Sequence, residues 1–111
     1  MGRSGRRKQE RLAEKLLNIR LALNLSQNGM LEHLGLTEDL YRNNISSYER
    51  GEREPPLHAL LKYAQSAGVW VDVLIDDELD LPDKLPSPTK HEGIRRKSGA
   101  RGKKGLSDPR R

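Results

Sequence analysis

The sequence predicts an all-α fold: a small domain of five helices over residues 9–81, carried between two basic tails. Three observations predict it. Apolar residues are concentrated, with nearly all Leu, Ile, Val, Tyr and Trp inside residues 12–81, although hydrophobic residues make up only 33% of the chain. Inside that stretch they recur three and four positions apart, the period of a helix rather than a strand. The stretch is also punctuated by helix stops and starts, namely Gly35, Gly51, Gly68 and the pair Pro55-Pro56.

A first helix is expected over about Gln9 to Leu23. Leu12, Leu16, Ile19 and Leu23 form its apolar face, and Leu17 and Leu21 lie roughly opposite as a second patch that needs cover from another element or subunit. Ser26 suits the N-cap of a second helix, Gln27 to Leu34. Gly29 inside it costs about 1 kcal/mol relative to alanine, and Gly35 ends it in a left-handed conformation. A third helix ends at Arg50, before Gly51. Its start is open between Thr37, followed by Glu38 and Asp39 that suit a helix N-terminus, and a point nearer Tyr41. Pro55 and Pro56 open a fourth helix, Leu57 to Ala67. Leu57, Leu60, Leu61 and Ala64 are expected to face the core, with Gly68 as the stop. A short fifth helix follows at Val71 to Asp76. Pro82, Pro86 and Pro88 then break regular structure, and from about Lys90 the chain is rich in Gly, Lys and Arg. Residues 1–8 and 82–111 are therefore expected to be disordered tails.

Charge divides the chain in the same places. Residues 1–11 carry five Lys/Arg against one acid, residues 12–81 six against twelve, and residues 82–111 ten against three. An acidic body with basic ends suits a nucleic-acid partner, the tails adding affinity through phosphates with little sequence preference. The chain has no cysteine, which excludes a disulfide framework and a Cys metal site. No apolar run approaches the ~18 residues of a membrane helix, and no signal-peptide pattern follows the basic N-terminus; a cytoplasmic protein is expected. His33, His58 and His91 are too far apart for metal-ligand spacing. Asp72, Asp76, Asp77, Glu78 and Asp80 lack the pattern of a calcium loop. No phosphate loop or nucleophile motif is present. No cofactor and no enzymatic activity are expected.

Two short helices joined by a tight turn, the second ending in a glycine stop, read as a helix-turn-helix, which places one helix in the DNA major groove. With Ile45 inward, Tyr41, Tyr48 and Glu49 lie within about 60° of it on the third helix. Asn43, Ser47 and Arg50 lie opposite, flanked by Arg42 and Ser46. Such a stripe suits base edges, arginine pairing with guanine and asparagine with adenine. Gln27, at the start of the second helix, is placed to reach a phosphate or a base edge. Arg50 and Arg53 flank the following loop and suit phosphates, though Glu49, Glu52 and Glu54 stand beside them.

Leu25-Ser26-Gln27, Leu34-Gly35-Leu36-Thr37, Ile45-Ser46-Ser47-Tyr48-Glu49-Arg50-Gly51, Glu54-Pro55-Pro56-Leu57 and Ala67-Gly68-Val69 with Val71-Asp72 stand in one order. In that order the chain resembles the lambda-repressor-like helix-turn-helix domains of the Cro and repressor type (XRE family) over about residues 12–76. The resemblance implies a five-helix domain that binds double-stranded DNA with sequence preference, as a transcriptional regulator or repressor working as a homodimer. It implies DNA contacts from Gln27, Arg42, Asn43, Asn44, Ser46, Ser47, Arg50 and Arg53, and an ion pair between Arg20 and Glu49 that ties the first helix to the third. Two features depart from the family. Gly35 to Ile45 is longer by roughly one helical turn, which lengthens either the loop or the third helix, and Leu31 stands where the family has a small alanine. Trp70 stands where the family has a small capping residue, so Val69, Trp70 and Val73 are the expected dimer interface. Alternatively the segment after Asp77 folds back over the first helix and covers Leu17, Leu21 and Trp70. The rival function is a protein-interaction module, an antitoxin or adaptor on the same fold with a protein partner.

Overall fold

Helix α1 (Leu12–Ala22) buries Leu12, Leu16 and Ile19, the face its spacing predicts, and also Lys15, which the spacing does not single out. In the computed structural model, which describes residues 9–95, four helices follow: α2 (Gln27–Leu34), α3 (Arg42–Glu49), α4 (Leu57–Ala67) and α5 (Val71–Ile75). Two short strands, β1 (Leu79–Asp80) and β2 (Ile94–Arg95), pair antiparallel, with Leu79 opposite Arg95 and Asp80 opposite Ile94. The described part is thus a small, mostly helical domain with a minimal sheet added. Helix α1 packs against α3, α4 and α5, and α2 against α3 and α4. The core between them includes Met30, Leu31, Leu34, Leu36, Ile45, Tyr48, Leu60, Val69, Val73 and Leu74.

The caps of α2 follow the sequence closely. The Ser26 hydroxyl accepts from the Gly29 amide at 2.9 Å, and Gly35 closes the helix at φ 73°. Helix α1 has no such local device. Its N-terminal amides are held from far along the chain, where the Asp77 carboxylate accepts from Glu10 at 3.0 Å and Arg11 at 3.2 Å. The Arg11 guanidinium binds the Asp77 carbonyl and the Asp80 carboxylate. The amides of Glu10 and Arg11, with the nearby Lys15 and Arg11 charges, hold the Asp77 carboxyl below the ordinary aspartate pKa. A carboxyl depressed on folding stabilises the fold above its unfolded pKa of ~3.9 and loses that stabilisation as pH falls through the folded value. Acid unfolding of the wild type between about pH 5 and pH 2 should therefore include a step that Asp77→Asn lacks. Superimposable acid limbs in circular dichroism would dismiss this role.

Helix α4 presents a different face from the expected one. It buries Ala59, Leu60, Tyr63, Ala64 and Ala67, while Leu57 is 83% exposed and Leu61 41%. The alanines at 59, 64 and 67 let the helix lie close to its neighbours, and Pro56 as N-cap leaves Leu57 on the solvent side of the first turn. The spacing of four between Leu57 and Leu61 satisfies helical periodicity on either side, so periodicity alone does not choose. Tyr63 is fully buried and, among the described residues, its hydroxyl has no hydrogen-bond partner. Burial, with Glu49 close by, pushes its pKa well up. A buried hydroxyl without a partner costs about 1–3 kcal/mol, so Tyr63→Phe should leave stability unchanged or raise it. A clear loss in chemical denaturation would mean that the hydroxyl is bonded in solution.

The larger correction concerns residues 82–95, expected as part of a disordered tail. They fold back along α4 and α5. Pro82 is buried and Leu85 packs against the core. The Ser87 amide donates to the Ala67 carbonyl at 2.9 Å, His91 donates to Gly68 at 3.0 Å, and Trp70 donates to His91 at 3.1 Å. The prolines do break helices here, but an extended chain can still satisfy its neighbour's backbone groups. Gly68 permits the approach, since a Cβ there would lie 2.4 Å from the Ser87 carbonyl oxygen. Residues 1–8 and 96–111, the remainder of the two expected tails, lie outside the described residues.

Candidate nucleic-acid interface

Helices α2 and α3 are joined by residues 35–41, and the extra length lies in this connector rather than in α3. Leu36 is buried, and its carbonyl accepts from Asp39 at 3.0 Å and Leu40 at 2.9 Å, which closes the connector into a turn. Leu40 packs at the core edge, while Thr37, Glu38 and Asp39 face solvent. Helix α3 starts at the later of the two expected points, with Tyr41 as N-cap. Tyr41 is therefore outside the helix and 76% exposed, not inward as helical projection suggests. Leu31, which stands where the resemblance implies a small alanine, is accommodated in the core.

One carboxylate sets the relation of the three N-terminal helices. Glu49, at the end of α3, accepts from Arg20 Nε at 2.6 Å and Arg20 Nη2 at 3.1 Å. It also accepts from the Gln27 side-chain amide at 3.2 Å. The same guanidinium donates to the Leu25 carbonyl at 2.9 Å in the connector before α2. The side chains of Arg20 and Glu49 are only 14% and 5% exposed. The hydrogen bond to Glu49 holds the Arg20 pKa above its ordinary value. The ion pair implied by the family resemblance is therefore present.

The eight residues expected to touch DNA divide into two groups. Arg42, Asn43 and Arg53 are exposed, and Ser46 and Ser47 are half-exposed on α3. Ile45 and Tyr48 are buried behind them, so the polar stripe does face outward. The other three are engaged within the chain, one of them with the Ser46 hydroxyl. Asn44 accepts from the Tyr41 amide at 2.8 Å and caps α3 rather than pointing away from it. Gln27 is bonded to Glu49 and half-buried. Arg50 binds both carboxylate oxygens of Glu52, at 3.0 and 2.8 Å, and the Ser46 hydroxyl. That bond raises the Arg50 pKa and lowers that of Glu52. Arg50 would have to exchange Glu52 for phosphate to contact DNA. A one-sequence reading could have found the Asn44 cap from its position three residues after the N-cap, but only with the start of α3 known.

The expected dimer interface also divides. Val69 and Val73 are fully buried in the chain's own core, whereas Trp70 is 53% exposed. Their apolar neighbours in sequence hid this, because Val69 is drawn in by its bond to Ala64 and by its pairing with His91. The segment after Asp77 folds back along α4 and α5 rather than over α1 as the alternative expected, and it leaves Leu21 58% and Trp70 53% exposed. Among the described residues, no group of three or more His, Asp or Glu could hold a metal ion, and no helix is long and apolar enough to cross a membrane. No family model matches the chain, and neither a curated protein nor a solved structure matches it.

Proposed function

We propose that this chain binds double-stranded DNA with sequence preference through α3 and acts as a transcriptional regulator of the helix-turn-helix kind. The observation that carries the reading is the outward stripe of Arg42, Asn43, Ser46 and Ser47 on a helix whose other side is locked into the core. A short helix reads base edges only if its orientation is fixed, and the Glu49 carboxylate bound to α1 and α2 supplies that constraint. Arg42 and Asn43 carry the side chains suited to guanine and adenine. Arg53 and a released Arg50 would serve the phosphates. Two copies on neighbouring half-sites would supply the information one short helix lacks, and of the expected interface Trp70 alone is open to a second copy.

Selection of duplexes from a genomic library, followed by titration on the selected site, tests the reading. Arg42→Ala or Asn43→Ala should each cost about 1–3 kcal/mol on that site and much less on random duplex. Equal losses on both duplexes would reduce these residues to backbone contacts, and failure to select any site would remove the proposal. Sedimentation of the complex reads one copy or two. A second reading rests on the exposed Leu57 and Leu61, one turn apart on α4. They suit a protein-interaction module of the antitoxin or adaptor type, which would select no duplex.

A further inference from the structure

A pocket of about 510 Å3 opens between α5, β1 and β2. Trp70, the single tryptophan of the chain, forms one wall, and Asp72, Asp76 and Glu92 stand around it with Leu79 and Arg95. The indole already holds one cation, since Lys90 Nζ lies 5.0 Å from its ring centroid without lining the pocket. An aromatic face bordered by carboxylates is the chemistry that recognises an ammonium or guanidinium group. The ring quadrupole attracts the charge and the carboxylate oxygens accept its N–H bonds.

The chain continues from the rim of this pocket. Arg95 lines it, and residues 96–111 that follow carry seven Lys/Arg and one Asp. Gly99, Gly102 and Gly105 interrupt the basic residues and permit sharp turns. From Arg95 to Arg101 the chain can reach roughly 20 Å, ample to return to its starting point. We propose that this pocket binds the basic segment that follows it, taking the side chain of Arg101, Lys103 or Lys104 against Trp70 and between the carboxylates. A cation held there is withheld from other anions, so the acidic body restrains its own tail until a stronger polyanion competes for it. The proposal does not depend on which polyanion that is.

Trp70 reports on the contact directly, because its fluorescence is the only tryptophan signal of the full chain. Acrylamide quenching should be weak at about 0.05 M salt and rise about twofold near 1 M, where such contacts are screened. The variant Arg101→Gln/Lys103→Gln/Lys104→Gln should show the higher quenching already at low salt, with little further response. It leaves Lys90 and every described residue untouched, and circular dichroism checks its fold. The pocket variant Asp72→Asn/Glu92→Gln, with its fold checked by circular dichroism, should lose the salt response too. Equal quenching of wild type and tail variant at low salt would overturn the proposal. So would a difference that grows with chain concentration, which would assign the contact to a second copy.

Discussion

Replacing Glu49 by leucine should cost about 3–5 kcal/mol, because it strands the Arg20 guanidinium in a largely buried position. Arg20→Met should cost a similar amount by leaving Glu49 with only the Gln27 amide. The double variant Arg20→Met/Glu49→Leu should cost less than the sum of the singles and less than the worse single, since no charge then remains without a partner. Urea denaturation of the four proteins closes the cycle. Additive losses would mean that the two side chains act independently, whatever the 2.6 Å separation suggests. The cycle also bears on the proposed function. Because Glu49 joins α3 to both α1 and α2, the double variant should fold yet lose discrimination between a selected duplex and random DNA.

The second large effect belongs to Lys15. Its side chain is 1% exposed, and its ammonium donates to the carbonyls of Val73 at 2.7 Å and Asp76 at 2.9 Å, in and just after α5. These carbonyls are among the groups a helix end leaves without intrahelical partners. Helix α5 spans only five residues and is therefore finished by a side chain from α1. Burial pulls the Lys15 pKa below the ordinary lysine value, with Arg11 acting in the same direction and Asp77, Asp80 and Asp76 opposing. Lys15→Ala removes a buried stem and two hydrogen bonds and should cost about 3–5 kcal/mol. Lys15→Met keeps the stem but leaves the Val73 carbonyl unmet, while the Asp76 carbonyl keeps the Leu79 amide, which should cost about 1–3 kcal/mol. A loss below about 1 kcal/mol for Lys15→Ala would show that α5 holds its position without this lysine.

These two sites mark how far the sequence alone was legible. Local signals read true. Ser26 and Gly35 bound α2, Pro56 and Gly68 bound α4, and the period of α1 located its core face. The pairing of Arg20 with Glu49 was legible through family resemblance and not through spacing, since 29 positions separate the two. What remained hidden was non-local. A lysine at position 15 reads as a solvated residue until α5 is known to end above it. Residues 82–95 carry little apolar content, and their order comes from backbone bonds and close approach at Gly68, which composition does not register. On α3, the start at Arg42 decided which side chains face out. Moving it from Thr37 to Tyr41 turned Asn44 from a candidate base contact into a cap.

The capping of α1 by Asp77 has a consequence for how the chain comes into being. The two partners are 66 positions apart, and Arg11 reaches as far as Asp80. During synthesis α1 emerges before the other four described helices, but its terminal amides and the buried stem of Lys15 find their partners only when α5 and the turn after it have emerged. The first of these five helices to be made is then among the last completed. Its docking depends on closing a loop nearly as long as the domain, an entropic cost that rises only slowly with length but delays the reward. Helices α2, α3 and α4, joined by short connectors, can assemble while α1 waits.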